Sequence, residues 1–201
     1  MTNLAKWFLL LFGGAVILVL SAVCTLEKVP PATIAVRQAL WGGGGVEAND
    51  YSMGFHLGIT GYHKWHLLDK RTHFLTFSED GKSSGVGTLR PPLVIRTKDN
   101  NTANFDLTVT YRIIPGKGHE LVRKGLKEIY RERVFKTVES VMREELAQLS
   151  SEDIYLTAER IRVTQAALPK LEQELENFYV RPDQILIRAI RFTDAYERKL
   201  S

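Results

Sequence analysis

The chain has 201 residues, a quarter of them charged, with a formal net charge of +4 and one cysteine. The lone thiol, Cys24, excludes an intramolecular disulfide and any Cys-x-x-Cys redox or zinc motif. The positive balance alone would suit nucleic acid, but acids interrupt the bases through 123–136 and 158–162, as on a solvated face. With no zinc-finger or RNA-binding motif and no run of five like charges, no nucleic-acid partner is expected.

The first element is the segment from Trp7 to Leu26, WFLLLFGGAVILVLSAVCTL, 20 residues without a charge. At about 1.5 Å per residue a helix of this length reaches roughly 30 Å, the thickness of a hydrocarbon core. It is apolar on all sides, so Trp7, Phe8, Leu11, Phe12, Val16, Ile17, Leu20 and Val23 are expected to meet lipid, bracketed by Lys6 and by Glu27 and Lys28. Two rival readings remain. A cleaved secretory signal would need a shorter apolar run and small residues before the cut, and a lipoprotein would need a small residue before Cys24; Val23 stands in that place in both. Lys6 and the terminal amine, set against Lys28 and Arg37, lean towards a cytoplasmic N-terminus. The folded part would then lie on the extracytoplasmic side, as at a bacterial inner membrane.

Past this anchor, 1–29, the chain is long enough for one ordinary domain or two small ones. The stretch 30–114 reads as strands and turns. Thr33–Arg37, Tyr62–Leu68 and His73–Phe77 are short runs rich in β-branched and aromatic residues. In 104–113, Phe105, Leu107, Val109, Tyr111 and Ile113 alternate with polar residues, which predicts a strand with one buried and one wet face. Asp99, Asn100 and Asn101 predict a hairpin turn from Leu93–Thr97.

After Pro115 and Gly116 the period changes. Leu121, Val122, Leu126, Ile129, Val134, Val138, Val141, Met142, Leu146 and Leu149 recur at helical spacing, with a break expected near Gly125 or Lys127. Ser150 and Asp153 resemble a capping box, and the helix that follows runs to about Asn177 with a kink or junction at Pro169. A last strand, Gln184–Phe192, completes an α/β half, 115–201. The fold class expected is α+β: an N-terminal transmembrane helix, an antiparallel β-rich subdomain and an α/β subdomain.

The residues present no catalytic centre. There is no Gly-x-Ser-x-Gly, and Gly42–Gly45 lacks the Lys and Ser/Thr of a phosphate loop, so it reads as a flexible hairpin tip beside Trp41. His56, His63, His66 and His73 fall in one stretch, but His63 and His66 would point to opposite faces of a strand, and Asp69 is the only acid at supporting spacing. Surface or packing roles are expected for them rather than a metal site.

In order, these pieces resemble the SPFH or Band 7 family of stomatins, prohibitins and flotillins. The resemblance is carried by the anchor leading to VPPATIAVRQ, by Gly54–Leu57 before Tyr62–His66, and by LVIRTKDNNTANFDLTVTYRI. It continues through VESVMREELAQLSSEDIY, Arg160 and ILIRAIRF. It implies a membrane scaffold without catalytic residues or cofactor, assembling with itself or with other SPFH proteins, organising a membrane microdomain and regulating membrane-bound AAA proteases. Its partners would be membrane lipids, such oligomers and such proteases. The mixed-charge helices over 121–149 and 154–178 are then the expected lateral surfaces, with Arg131, Arg133, Arg143, Glu144, Arg160 and Glu172 as candidate interface residues. The family's long coiled coil does not follow Tyr196–Leu200, and the polar stretch Ser78–Thr88 is an unassigned loop. The alternative function is an anchored extracytoplasmic domain that binds or hydrolyses a small ligand.

Overall fold

A computed structural model describes residues 3–79 and 87–192, without side chains at 3–5 and 22–25. Most of the 78–88 loop and the segment Tyr196–Leu200 therefore lie outside the described residues. In chain order the elements are α1 (Asn3–Val23), β1 (Cys24–Val29), β2 (Thr33–Ala39), β3 (Gly45–Tyr51), β4 (Gly54–Ile59), β5 (His63–Asp69), β6 (His73–Phe77), β7 (Gly87–Arg90), β8 (Leu93–Arg96) and β9 (Thr102–Ile113). They continue with α2 (Gly118–Arg123), α3 (Tyr130–Leu146), a 3-10 turn (Asp153–Tyr155), α4 (Thr157–Glu176) and β10 (Val180–Phe192).

These elements form two compact units, Met1–Asp69 with Gly118–Arg123, and Lys70–Lys117 with Lys124–Ser201. The change of period at Pro115 suggested one boundary at Ile114. The difference has a physical cause: β10 of the helical half pairs along β9, and β6 pairs along the other edge of β9, which ties 73–113 to that half.

In the first unit, β3, β2 and β5 make a three-stranded sheet and β1 pairs with β4 in a separate antiparallel ribbon. The helix expected through Leu26 ends at Val23, because Cys24–Val29 pairs residue by residue with Gly54–Ile59 and takes its hydrogen bonds from the ribbon. A membrane-spanning helix over Trp7–Leu26 was also expected. Among the described residues no helix is long and apolar enough to cross a membrane.

α2 is anchored from β3. Asp50 Oδ2 accepts the Gly118 N–H at 2.8 Å and Oδ1 accepts the His119 N–H at 2.7 Å, satisfying donors that a helix start leaves open. A Cβ at Gly118 would stand 2.9 Å from Ile34 Cγ2 and 3.0 Å from Asp50 Oδ2, so the close approach requires glycine. At the β2–β3 tip, Gly42, Gly43 and Gly45 have φ of 72°, 76° and 60°, the left-handed backbone that a tight turn demands.

In the second unit β9 is the axis. β10 pairs along one edge of it, while β6 and β8 share the other in tandem, and β7 adds to β6 in parallel. Phe105, Leu107 and Val109 are fully buried, and Tyr111 and Ile113 nearly so, as the alternation predicts. The opposite face is drier than expected: Asp106 and Thr108 are buried too, Asp106 accepting from Arg191 Nη2 at 2.7 Å and Thr108 lying 3.3 Å from the Thr76 hydroxyl. Val134, Val138, Val141, Met142 and Leu146 of α3 and Val163, Ala167, Leu171 and Leu175 of α4 supply the helical side of the core.

The helix break is present between Arg123 and Tyr130, with Gly125 at φ 69°. Pro169 is no junction, since α4 continues through it to Glu176; a proline inside a helix removes a single N–H donor. The capping box is reciprocal, Ser150 N–H to Asp153 Oδ2 at 2.9 Å and Asp153 N–H to Ser150 Oγ at 3.2 Å, but what it closes is the 3-10 turn before α4.

Candidate functional site

The apolar helix comes first. Trp7, Phe8, Leu11, Phe12, Val16, Ile17 and Leu20 are all exposed, and Val23 falls among the side chains not described. Each large apolar side chain left in water forgoes about 1.5–3 kcal/mol of burial. A helix that is apolar on every side belongs in a protein core or in lipid.

The six expected interface residues lie in the second unit and divide by what already holds them. Arg131 packs its guanidinium 5.8 Å from the Tyr130 ring and donates to the Tyr130 hydroxyl at 3.2 Å. Arg133 is exposed and lines a cavity of about 370 Å³ with Lys136, Ser140, Glu144, Glu174 and Phe178. Arg143 is engaged within its own chain, to Glu139 at 2.8 Å and to the Val94 carbonyl at 2.6 Å, so it braces α3 against β8. Glu144 and the buried Glu145 both meet Lys170 of α4, and the Glu145 carboxylate, with Glu144 second, holds the ammonium above its ordinary value. Arg160 donates to Thr157, and Glu172 pairs with Arg181 at 3.3 Å. The structure thus brings Arg133 and Glu144 to one groove, with the basic side chains towards the start of α3 and the acids towards its end and on α4.

The histidines do not converge. His56 Nε2 meets the Ser52 carbonyl at 2.7 Å, His63 Nδ1 accepts the Ile59 N–H at 3.0 Å and His66 Nε2 meets Gln38 at 2.7 Å. His73 belongs to the other unit, where it is buried beside Tyr111.

Two polar clusters were not anticipated from the sequence. In the first unit Arg37 pairs with Glu47 at 2.7 Å, Tyr51 donates to the same carboxylate at 2.7 Å, and the guanidinium lies over the Tyr51 and Trp65 rings. Burial pushes the Glu47 carboxyl up, but hydrogen bonds from Arg37 and Tyr51 outweigh it and hold it below its ordinary value. The only advance signal was opposite charge across the β2–β3 hairpin. In the second unit Asp99 accepts from Thr97 at 2.6 Å, from Asn101 at 2.9 Å and from the Ser151 N–H at 3.1 Å. The Thr97 hydroxyl first, then Ser151, holds its carboxyl far below the usual range. Nothing in the spacing of Asp99 and Ser151 showed that they meet.

A model of the SPFH domain / Band 7 family matches residues 27–201. The chain belongs to the SPFH/Band 7 family. No curated protein matches it. Band 7 proteins are in general membrane-associated, oligomerising scaffolds rather than enzymes, and the exposed apolar helix and mixed-charge α3–α4 surface are features such a role can use. The family match begins at Glu27, so α1 precedes the matched residues.

Proposed function

We propose that this Band 7 protein is a scaffold held to one bilayer by α1, whose copies associate side by side through α3 and α4 to organise a membrane microdomain. The observation that carries the reading is the run of exposed apolar side chains from Trp7 to Leu20, joined directly to a Band 7 domain. The backbone of α1 extends from Asn3 to Val23, and 21 residues at about 1.5 Å each reach roughly 30 Å, enough to span once the ends are included. In this reading the N-terminus is cytoplasmic and the Band 7 domain lies on the extracytoplasmic face of a bacterial inner membrane, the orientation that Lys6 before the apolar run favours.

Tethering in two dimensions raises the effective concentration of copies, so weak lateral contacts add up. The groove lined by Arg133, Lys136, Glu144 and Glu174 carries both signs, which suits a head-to-tail neighbour. Regulation of a membrane-bound AAA protease is a further step of the same reading: a ring of copies would limit which substrates reach the protease.

Alkaline carbonate extraction of membranes carrying the full chain tests the anchor. The protein is expected to stay in the membrane pellet, and Leu11→Lys with Ile17→Lys is expected to release it. Release of the unaltered chain contradicts the reading.

A further inference from the structure

Across β6, β9 and β10, Leu75, Val109 and Ile185 stand opposite one another and are all buried, so they mark the core face of the second unit's sheet. Their neighbours along each strand point the other way. On that second face Phe74, Thr110 and Gln184 form one rung and Thr76, Thr108 and Leu186 the next. The middle strand thus carries two threonines where the strands beside it carry a phenyl ring, a carboxamide and a leucine. Short side chains between long ones leave a cleft of about 230 Å³, lined by Phe74, Thr108, Thr110, Gln184, Leu186 and Arg188.

Arg188 reaches this cleft from an irregularity in β10. Ile187 pairs with Leu107 and Ala189 with Asp106, so Arg188 has no residue opposite it, and Asp183 is left over in the same way between Pro182 and Gln184. Bulges of this kind re-aim side chains. Of the two, Asp183 is engaged within the chain, by Arg112 Nε at 3.2 Å. Arg188 is exposed, and among the described residues no hydrogen bond or ion pair holds its guanidinium. Asp106, opposite the next residue, does not answer it: its carboxylate already accepts from Arg191 Nη2 at 2.7 Å and from the Ser78 hydroxyl at 3.4 Å. The Gln184 carboxamide is likewise exposed and without a partner among the described residues.

We propose that this cleft is a binding site for a small carboxylate with a flat apolar body, a molecule of about the size of benzoate. The guanidinium of Arg188 is a planar fork of N–H donors that matches a carboxylate through two parallel bonds, and the Gln184 amide adds a donor at the rim. The Phe74 ring and Leu186 wall the apolar body, above a floor where the Thr108 hydroxyl lies 3.3 Å from that of Thr76 and is already met. Volume sets the ligand's size. Drug-sized ligands fill about 300–1,000 Å³, whereas a cavity of about 150 Å³ takes up benzene. The cleft here, at about 230 Å³, admits one ring with its carboxylate and is too small for a peptide segment. Every lining residue belongs to the second unit, so the inference is independent of the anchor reading of α1.

The test titrates the full chain in detergent micelles with para-fluorobenzoate at neutral pH and follows the fluorine NMR linewidth, with protein-free micelles as the baseline. Saturable broadening is expected from the unaltered chain. Arg188→Gln should weaken binding by about tenfold or more, the loss for a charge-assisted pair of bonds. Arg188→Lys keeps the charge without the fork and should weaken it less, and Arg181→Gln, at an exposed cation of the same strand, should leave it unchanged. Thr110→Trp fills the cleft and should abolish binding with Arg188 intact; should it alter the circular dichroism, Leu186→Ala removes one wall instead and should weaken binding. The neutral para-fluorobenzamide should bind about tenfold more weakly than the acid. The absence of saturable broadening overturns the inference, as does equal binding by Arg188→Gln and the unaltered chain. Equal losses at Arg188 and Arg181 also overturn it, by assigning the broadening to general charge, and so does equal binding of acid and amide.

Discussion

β4 in the first unit and β9 in the second follow the same period of two and place their apolar residues on opposite sides of the surface. In β9, Phe105, Leu107 and Val109 are sealed within the core to which α3 and α4 contribute, and in β4, Phe55, Leu57 and Ile59 stand open. Alternation therefore identifies a strand without saying which face meets water. That is decided by what packs on each face.

The largest expected effect comes from breaking the sealed strand. Phe105→Ala should cost about 3–5 kcal/mol in urea unfolding, the usual loss for emptying a buried aromatic site. Phe55→Ala in detergent should stay within about 0.5 kcal/mol, as for a surface position. Similar losses at the two sites would erase the contrast between the strands.

Next is Gly118→Ala, where the added methyl meets Ile34 and Asp50 in the first unit. A destabilisation of about 1–3 kcal/mol is expected in thermal melts, the range for overpacking. Unchanged melting would show that the α2 contact yields easily.

Acid sensitivity should be greatest at Asp99 in the second unit, beyond that of Glu47 in the first, whose carboxyl is also held below its ordinary value. Because the Asp99 carboxyl is depressed by Thr97 and Ser151, its contribution is complete above about pH 4, its unfolded value, and is lost as pH falls towards the lowered folded value. Asp99→Asn should therefore be less stable at neutral pH, with the gap to the unaltered chain closing in acid. A gap independent of pH would assign the role of Asp99 to shape rather than charge.

The smallest effect on stability, within about 0.5 kcal/mol, is expected for Arg131→Glu with Arg133→Glu, both at exposed positions. High-mass complexes on native gels should nevertheless weaken. Arg143→Glu would confuse the two readouts, since it also breaks the bonds to Glu139 and Val94.

Much of the architecture was legible because it rests on short-range rules. The alternation of β9, the turn at Asn100 with its φ of 71°, the glycine break before α3 and the Ser150–Asp153 pair all depend on neighbours a few residues apart. What was missed depends on distant partners. β1 was hidden inside an apolar run because only its pairing with β4 makes it a strand, and α2 reads as part of a helical half until Asp50 captures its first N–H groups. Arg143 illustrates the limit for surfaces: its charge was visible, but its attachment to the Val94 carbonyl was not. The exposure of Phe55 and Leu57 was hidden for the same reason, since it depends on the pairing of β4 with β1 and on which face of that ribbon is packed.

The central claim, a bilayer-held scaffold that works as an assembly, is tested most directly by the protein mass of the full chain solubilised from membranes in mild detergent, measured by light scattering on a sizing column. The account predicts a complex of many copies of the 22.8 kDa chain that Arg131→Glu with Arg133→Glu reduces in size. A single-chain mass for the unaltered protein would contradict it.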